Sequence, residues 1–291
     1  MPLNLSAATE VVPASATVPL GIIAGKGELP RTLVHACQQQ ERPYFLIAVE
    51  DATDAETVEL AGEQHAWIRL GSVGKAIDIL HRHQVRELVM AGKISRPKLT
   101  SLRPDIKGTK LLAKLGSHLL SGDNELLGTI LHFLEDEGFR VVGAEDVVRD
   151  LLAPEGLIGS IYPDKRAQAD ITVGARIARG IGALDIGQAV VIQNQQVLGV
   201  EAIEGTDALI ERCSALRVEE KGGVLVKVKK PAQERRIDLP TIGEATVSRV
   251  AEAGFAGIAV EAGASLIVNR REVARLADQL GVFVVGFSMV E

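Results

Sequence analysis

Residues 20–30, LGIIAGKGELP, run from a short apolar stretch through a glycine turn into the start of a helix. Leu20–Ala24 reads as a buried strand, Gly25-Lys26-Gly27 as the turn. Pro30 falls in the first turn of the helix, where a missing N–H is no loss. The same order recurs downstream. Apolar runs at 44–49, 65–70 and 88–91 are separated by helical patterns, clearest near 29–41 and 73–84. Strand and helix alternating in this way predict an α/β unit with a Rossmann-like parallel sheet.

Composition supports that class. A chain of 291 residues suggests two domains at about 150 residues each. Hydrophobic residues make up 46% and charged residues 24%, which excludes a disordered chain. Aromatics are only 3%, so the core is built from Val, Ile, Leu and Ala, and stacking platforms for single-stranded nucleic acid are excluded. The net charge of −6, with no long basic run, argues against nucleic acid as a partner. Cys37 and Cys213 lie too far apart in sequence for a zinc knuckle or a CxxC pair, which fits a reducing, cytoplasmic setting. Residues 1–17 lack a basic n-region and read as an unstructured extension. No charge-free apolar stretch reaches spanning length, so any membrane contact is expected to be peripheral.

Helices are expected at 107–121 and 123–138, with Asp123 capping the second. The character of the chain changes near 140. A helix at 164–182 follows, then a hairpin of 189–193 and 197–202. In Gly223–Lys229, Val224, Val226 and Val228 alternate with Leu225, Lys227 and Lys229, which predicts a half-exposed strand. The end returns to alternation: helix 244–254, strands 257–261 and 265–268, helix 271–280, strand 282–287. The expected organisation is a Rossmann-like domain at 18–140 and a second α/β domain at 141–291, with the ligand in the cleft between them.

Four segments can carry chemistry. Gly25-Lys26-Gly27 opens a helix after a strand, and Glu50 or Asp51 follows near the spacing of a ribose-binding carboxylate. Pro30 replaces the third glycine of that fingerprint, so a nicotinamide or flavin, another phosphate ligand and a purely structural turn all stay open. Gly92-Lys93 through Ser95-Arg96-Pro97-Lys98 leaves the fourth strand at the same sheet edge, either facing a phosphate or as a solvated basic loop. The segment 229–243, KKPAQERRIDLPTIG, concentrates Lys229, Lys230, Arg235 and Arg236 with Glu234, Asp238, Gln233 and Thr241 between stiffening prolines. Phosphoryl chemistry uses such cations on phosphate oxygens and a carboxylate on metal or water; a charged surface loop uses the same residues. Glu201–Asp207 places Thr206 at a helix start, as an anion pocket or an ordinary cap. All six histidines lie in the first half, at 35, 65, 81, 83, 118 and 132. A metal near 229–243 would therefore have oxygen ligands, which favours Mg²⁺ or Mn²⁺ over Zn²⁺. No GxSxG elbow supports a Ser–His–Asp triad.

These pieces, in this order, resemble the UDP-2,3-diacylglucosamine pyrophosphatase family of lipid A biosynthesis that is unrelated to the calcineurin-like phosphoesterases. The carriers are GIIAGKGELP at 21–30, AGKISRP at 91–97, SGDNELL at 121–127 and GAEDVVRDLLAPEG at 143–156. They continue with LDIGQAVVIQNQQVLGVEAIEGTDA at 184–208, KKPAQERRIDLPTIG at 229–243 and GFAGIAVEAG at 254–263. The resemblance implies Mg²⁺-dependent hydrolysis of UDP-2,3-diacylglucosamine to 2,3-diacylglucosamine 1-phosphate (lipid X) and UMP, with water attacking the sugar-side phosphorus. It implies a homodimer working at the inner leaflet of the inner membrane. The family's essential aspartate falls on Asp238. Many relatives read Gln-Asp where this chain has Gln233-Glu234, so Glu234 is expected to support Asp238 at the metal. Gly25, Lys26, Gly27, Gly92, Lys93, Gly122 and Asp123 are expected to line one wall of the substrate site. Thr206, Lys230, Gln233, Arg236 and Thr241 are expected on the other. A nicotinamide-dependent reductase and a non-catalytic nucleotide or glycolipid binder are the alternatives; the missing third glycine weighs against the reductase.

Overall fold

In the computed structural model, which describes residues 18–94, 102–116, 123–219 and 222–289, the strands of the first half form one parallel sheet. Its members are β1 (Leu20–Ala24), β2 (Tyr44–Val49), β3 (His65–Ile68), β4 (Glu87–Ala91) and β5 (Arg140–Val141). They lie in the order β3-β2-β1-β4-β5. The chain builds outward from β1 in one direction, then restarts at β4 in the other. The carboxyl ends of β1 and β4 thus flank the switch point where open α/β sheets bind ligands.

One face is covered by α1 (Glu28–Gln39) and α2 (Ala55–Ala61). The other is covered by α3 (Val73–Arg82) and α5 (Asp123–Asp136), with α4 (Ile106–Leu115) beside them. The helices earn these places by periodicity: Leu33, Val34 and Cys37 of α1 and Ile77 and Leu80 of α3 are buried at spacings of one helical face. Each buried Leu or Ile contributes about 1.5–3 kcal/mol relative to exposure. Burial also pushes the Cys37 thiol up to about 11, which keeps it unreactive.

The second half forms a mixed six-stranded sheet. Its strands are β6 (Gly156–Ile158), β7 (Ala189–Gln193), β8 (Gln196–Val200), β9 (Val224–Lys227), β11 (Gly257–Glu261) and β13 (Phe283–Phe287), in the order β6-β13-β11-β9-β7-β8. β9, β11 and β13 are parallel; β6 and β7 join them antiparallel. α7 (Lys165–Ala183) covers one face, and α8 (Thr206–Ser214), α9 (Glu244–Glu252) and α10 (Arg270–Leu280) cover the other.

Two features differ from the sequence reading. Residues 223–229 do not make a half-exposed strand. β9 is bordered by β7 and β11, and all of Val224–Lys227 is buried. The second lies at the seam. Val142, Ala144, Val147 and Leu151 belong to the first core, so the first unit runs past 140. Leu239, Leu266 and Val268 join the same core from the second half. They flank a short parallel pair, β10 (Thr241–Ile242) with β12 (Leu266–Ile267). The segment 230–241 is thereby pressed against the first sheet's helices.

Candidate active site at the seam between the two sheets

The glycine turn after β1 is already satisfied by its own chain. Gly25 N–H donates to the Ala91 carbonyl at 2.8 Å, and Lys26 N–H to the Lys93 carbonyl at 2.9 Å. Gly27 N–H donates to Asp54 Oδ2 at 2.7 Å. The reciprocal bond from Lys93 N–H to the Lys26 carbonyl closes a two-residue bridge across the switch point. Only glycines permit this approach: a Cβ on Gly25 would lie 2.6 Å from the Lys93 carbonyl oxygen, and Gly92 has φ +85°. The ring of Pro30 fills the space above Gly92. The N–H groups of Gly25, Lys26 and Gly27, expected to cradle a substrate anion, thus each have an acceptor inside the chain. Asp54 takes the place of an anion at this turn. What this wall offers is two exposed ammonium groups, Lys26 and Lys93, with no carboxylate in ion-pair range among the described residues. Gly122, Ser95, Arg96, Pro97, Lys98 and the side chain of Asp123 lie outside the described residues.

Two of the contacts between the walls involve glycines of the second unit. A Cβ on Gly205 would stand 3.6 Å from Lys93 Nζ, and one on Gly243 would stand 2.9 Å from Glu28 Oε2. Lys93 thus reaches from the first unit to the start of α8, where unpaired backbone N–H groups already concentrate positive charge. Two positive features converging there make a place suited to an anion.

The segment 230–241 is a braced frame. Lys230 is buried, and its Nζ pairs with Asp185 Oδ1 at 2.7 Å. Arg235 reaches Glu145 at 2.9 Å, and Arg236 reaches Glu135 at 2.8 Å, both across the seam. Thr241 Oγ1 donates to the Leu239 carbonyl at 3.0 Å. Gln233 is buried with its orientation forced: its Oε1 accepts from Lys230 N–H, so its Nε2 faces Gln188 Oε1 and Asp238 Oδ2. Lys230, Gln233, Arg236 and Thr241, expected as substrate-binding side chains, thus each make bonds within the protein, while the ammonium and the guanidinium carry more N–H groups than these bonds use. Asp238 is half-buried, held by Gln233, and remains within reach of a ligand.

Thr206 Oγ1 donates its only proton to Glu201 Oε1 at 2.6 Å and accepts from Lys227 Nζ at 3.1 Å. Its hydroxyl has no proton left for a phosphate; the N–H groups opening α8 do. Lys227 also donates to the Thr241 carbonyl at 3.1 Å. Burial pushes the Lys227 ammonium's pKa down, while Glu201, Asp238 and Asp207 act to restore it. Lys227 is the residue that sequence reasoning missed. Its place in an alternating pattern mimics a solvent-facing residue, and only its partners reveal otherwise.

The two carboxylates proposed for metal have different partners in the structure. Both oxygens of Glu234 accept from the Arg236 guanidinium, at 3.0 Å each, and this clamp holds the Glu234 carboxyl below its ordinary pKa. Glu234 is thus a partner of Arg236 and not an open ligand. Among the described residues no group of three His, Cys, Asp or Glu side chains could hold a metal ion. Asp238 alone fits a magnesium ion, which characteristically binds one or two carboxylates and completes its shell with substrate phosphates and water.

Solved structures of N5-carboxyaminoimidazole synthetase from Staphylococcus aureus, one of them with ADP, align at 13% and 12% identity. Their TM-scores of 0.25 and 0.24 over 69% of this chain, and 45% and 44% of theirs, carry no argument. Among the described residues no helix is long and apolar enough to cross a membrane. The UDP-2,3-diacylglucosamine pyrophosphatase LpxI of Caulobacter vibrioides is 41% identical over 273 residues, covering 92% of this chain and 96% of that protein. The LpxI N-terminal domain matches residues 19–151 and the LpxI C-terminal domain residues 154–285, two blocks that coincide with the two sheets and together span the seam, and the chain belongs to the LpxI family.

Proposed function

We infer that this chain is a UDP-2,3-diacylglucosamine pyrophosphatase of lipid A biosynthesis, a hydrolase of the diphosphate bond. Family membership carries that reading, and the site's chemistry suits it. The observation that supports a diphosphate site here is the convergence of Lys93 on the start of α8. An anion there neutralises both positive features at once. Asp238, aligned by Gln233, stands on the segment whose Thr241 end meets Lys227 beside the start of α8, and is suited to orient the attacking water or accept its proton. A magnesium ion held by Asp238 and the substrate's own phosphate oxygens would supply further positive charge as negative charge builds on the phosphoryl group.

The finer points are part of the same proposal. Attack at the sugar-side phosphorus would yield 2,3-diacylglucosamine 1-phosphate and UMP. The acyl chains need apolar surface; a groove of about 450 Å³ between α4 and α5, where Gly128 and Phe133 lie with the polar Lys114, Glu125, Thr129 and His132, is on the helix whose Glu135 holds Arg236. A substrate with two acyl chains is drawn from a bilayer, so peripheral contact with the inner membrane's cytoplasmic face accompanies this reading. A homodimer, implied by the resemblance, is checked by sedimentation.

The deciding experiment is incubation with UDP-2,3-diacylglucosamine in ¹⁸O-water, with and without Mg²⁺. The expected result is Mg²⁺-dependent UMP release with the label in the sugar phosphate. Label in UMP would place attack at the other phosphorus. Full activity in excess EDTA would remove the metal from the scheme. Absence of UMP would overturn the reading.

A further inference from the structure

A lysine ammonium within a central strand is an unusual expense. Lys227 lies opposite Ala189 on β7 and Val260 on β11, and is 4% exposed. A residue serving the sheet alone would be aliphatic, because burying a charge costs several kcal/mol before any partner compensates. Its partners show what the charge does. The segment that carries Asp238 leaves β9 at Lys227 and returns to it: the Thr241 carbonyl accepts from Lys227 Nζ. A third strand of contact comes from the start of α8, through Thr206 Oγ1.

Thr206 then donates to Glu201, whose other oxygen accepts from Gln188 N–H at 3.0 Å. The Gln188 side chain accepts from Gln233, and Gln233 holds Asp238. Lys227 and Asp238 are thus the two ends of one continuous hydrogen-bonded set, and every member between them is held by at least two bonds. The carboxylates of Glu201, Asp207 and Asp238 all act on the single Lys227 ammonium. Without it they would repel one another around the anion site.

We propose that Lys227 is a positioning residue for the hydrolysis: its buried ammonium fastens both ends of the 227–241 segment and the start of α8 at one point, and so fixes Asp238 relative to the anion. This rests on the pyrophosphatase reading for its kinetic consequence, but not for its structural one. Charge removal at a buried pair endangers folding, so the charges are removed together, in Lys227→Met with Glu201→Gln. Thr206→Val cuts one link without stranding a charge in the core, and Thr206→Ser restores it.

Two measurements test the proposal. Hydrogen–deuterium exchange of the 230–241 peptides, which needs no substrate, is expected to accelerate in the paired variant and in Thr206→Val, with the sheets unchanged. In assays with UDP-2,3-diacylglucosamine, kcat is expected to fall about 10–100-fold in the paired variant and about tenfold in Thr206→Val, as misplaced catalytic groups do. KM should change little, Thr206→Ser should recover most of kcat, and the loss should vanish in an Asp238→Ala background. Unchanged exchange at 230–241, wild-type kcat in a folded variant, or a raised KM at constant kcat would each overturn the role. If the paired variant does not fold, Thr206→Val decides alone. A wild-type protein that releases no UMP overturns the functional reading instead, and the exchange result still decides the fastening.

Discussion

The glycine-led starts of α1 and α8, both at the seam, are used in opposite ways. At α1, Gly27 has φ +110° and its N–H is taken by Asp54, so an internal carboxylate occupies the place of a ligand. At α8, Gly205 has φ +82°, no side chain caps the helix, and the nearby charge from the other unit is the Lys93 ammonium. The first start has its N–H taken by a carboxylate; the second has Asp207 in its first turn, but no side chain caps its N–H groups and Lys93 stands beside it. Glycine spacing records the path of a backbone. Where an anion goes is decided by which N–H groups are left over and which charges surround them.

The contrast is exposed to four measurements. The largest effect is expected on the α8 side. Asp238→Ala should lower kcat by about 10²–10⁴, the usual scale for removing one acid–base or electrostatic group. Substrate binding should be retained or tightened, because a negative charge facing a diphosphate has gone. Lipid extraction from the purified variant, alongside turnover, checks both; near-normal turnover would make Asp238 structural. Next, Gln233→Met removes the amide that aligns Asp238 and should cost about 10–100-fold in kcat with KM nearly constant. A large rise in KM would return Gln233 to the substrate.

Asp54→Ala probes the α1 side. It should lower the melting temperature by a few degrees, since a charged hydrogen bond to Gly27 is lost. KM should stay within about twofold if the turn is structural. A markedly lower KM would mean that the vacated N–H binds substrate, and the contrast between the two starts would dissolve. The smallest effect concerns Glu28, whose pKa is raised by burial and then by Glu244 across the seam. A carboxyl raised in the folded state loses stability as pH climbs from its unfolded value through its folded value. Glu28→Gln should therefore raise the melting temperature slightly at pH 7, and the gain should disappear below the ordinary carboxylate range.

Much of the architecture was legible because the signals were local. Leu20–Ala24 and Tyr44–Val49 are continuous apolar runs, and α3 repeats Val73, Ile77 and Leu80 on one face. The order of segments from 21 to 263 pointed to the family. The site was legible in location and less so in role. Lys230, Arg235, Arg236 and Glu234 read as ligand-binding groups by type, yet each has a partner in the fold, at Asp185, Glu145, Glu135 and Arg236. Those partners lie as far as 101 residues away, beyond any spacing rule. Lys227 failed for the opposite reason. Val226, Lys227 and Val228 imitate solvent alternation, and burial of the lysine depends on Thr206, Glu201 and Thr241, which no period connects to it.

The apolar seam has a consequence for how the molecule comes apart. Leu239, Leu266 and Val268 are numbered with the second sheet but complete the first core, beside Ala144, Val147 and Leu151. The two inherited blocks, 19–151 and 154–285, are therefore not two thermodynamic units. Melting the second withdraws three side chains from under α1 and opens the first to water. Calorimetry should see one cooperative endotherm, its van't Hoff and measured enthalpies agreeing. A nick in the short connection between the blocks should leave them associated until both unfold. With the site proposed above, substrate capture and structural integrity share one surface, so selection on either acts on both.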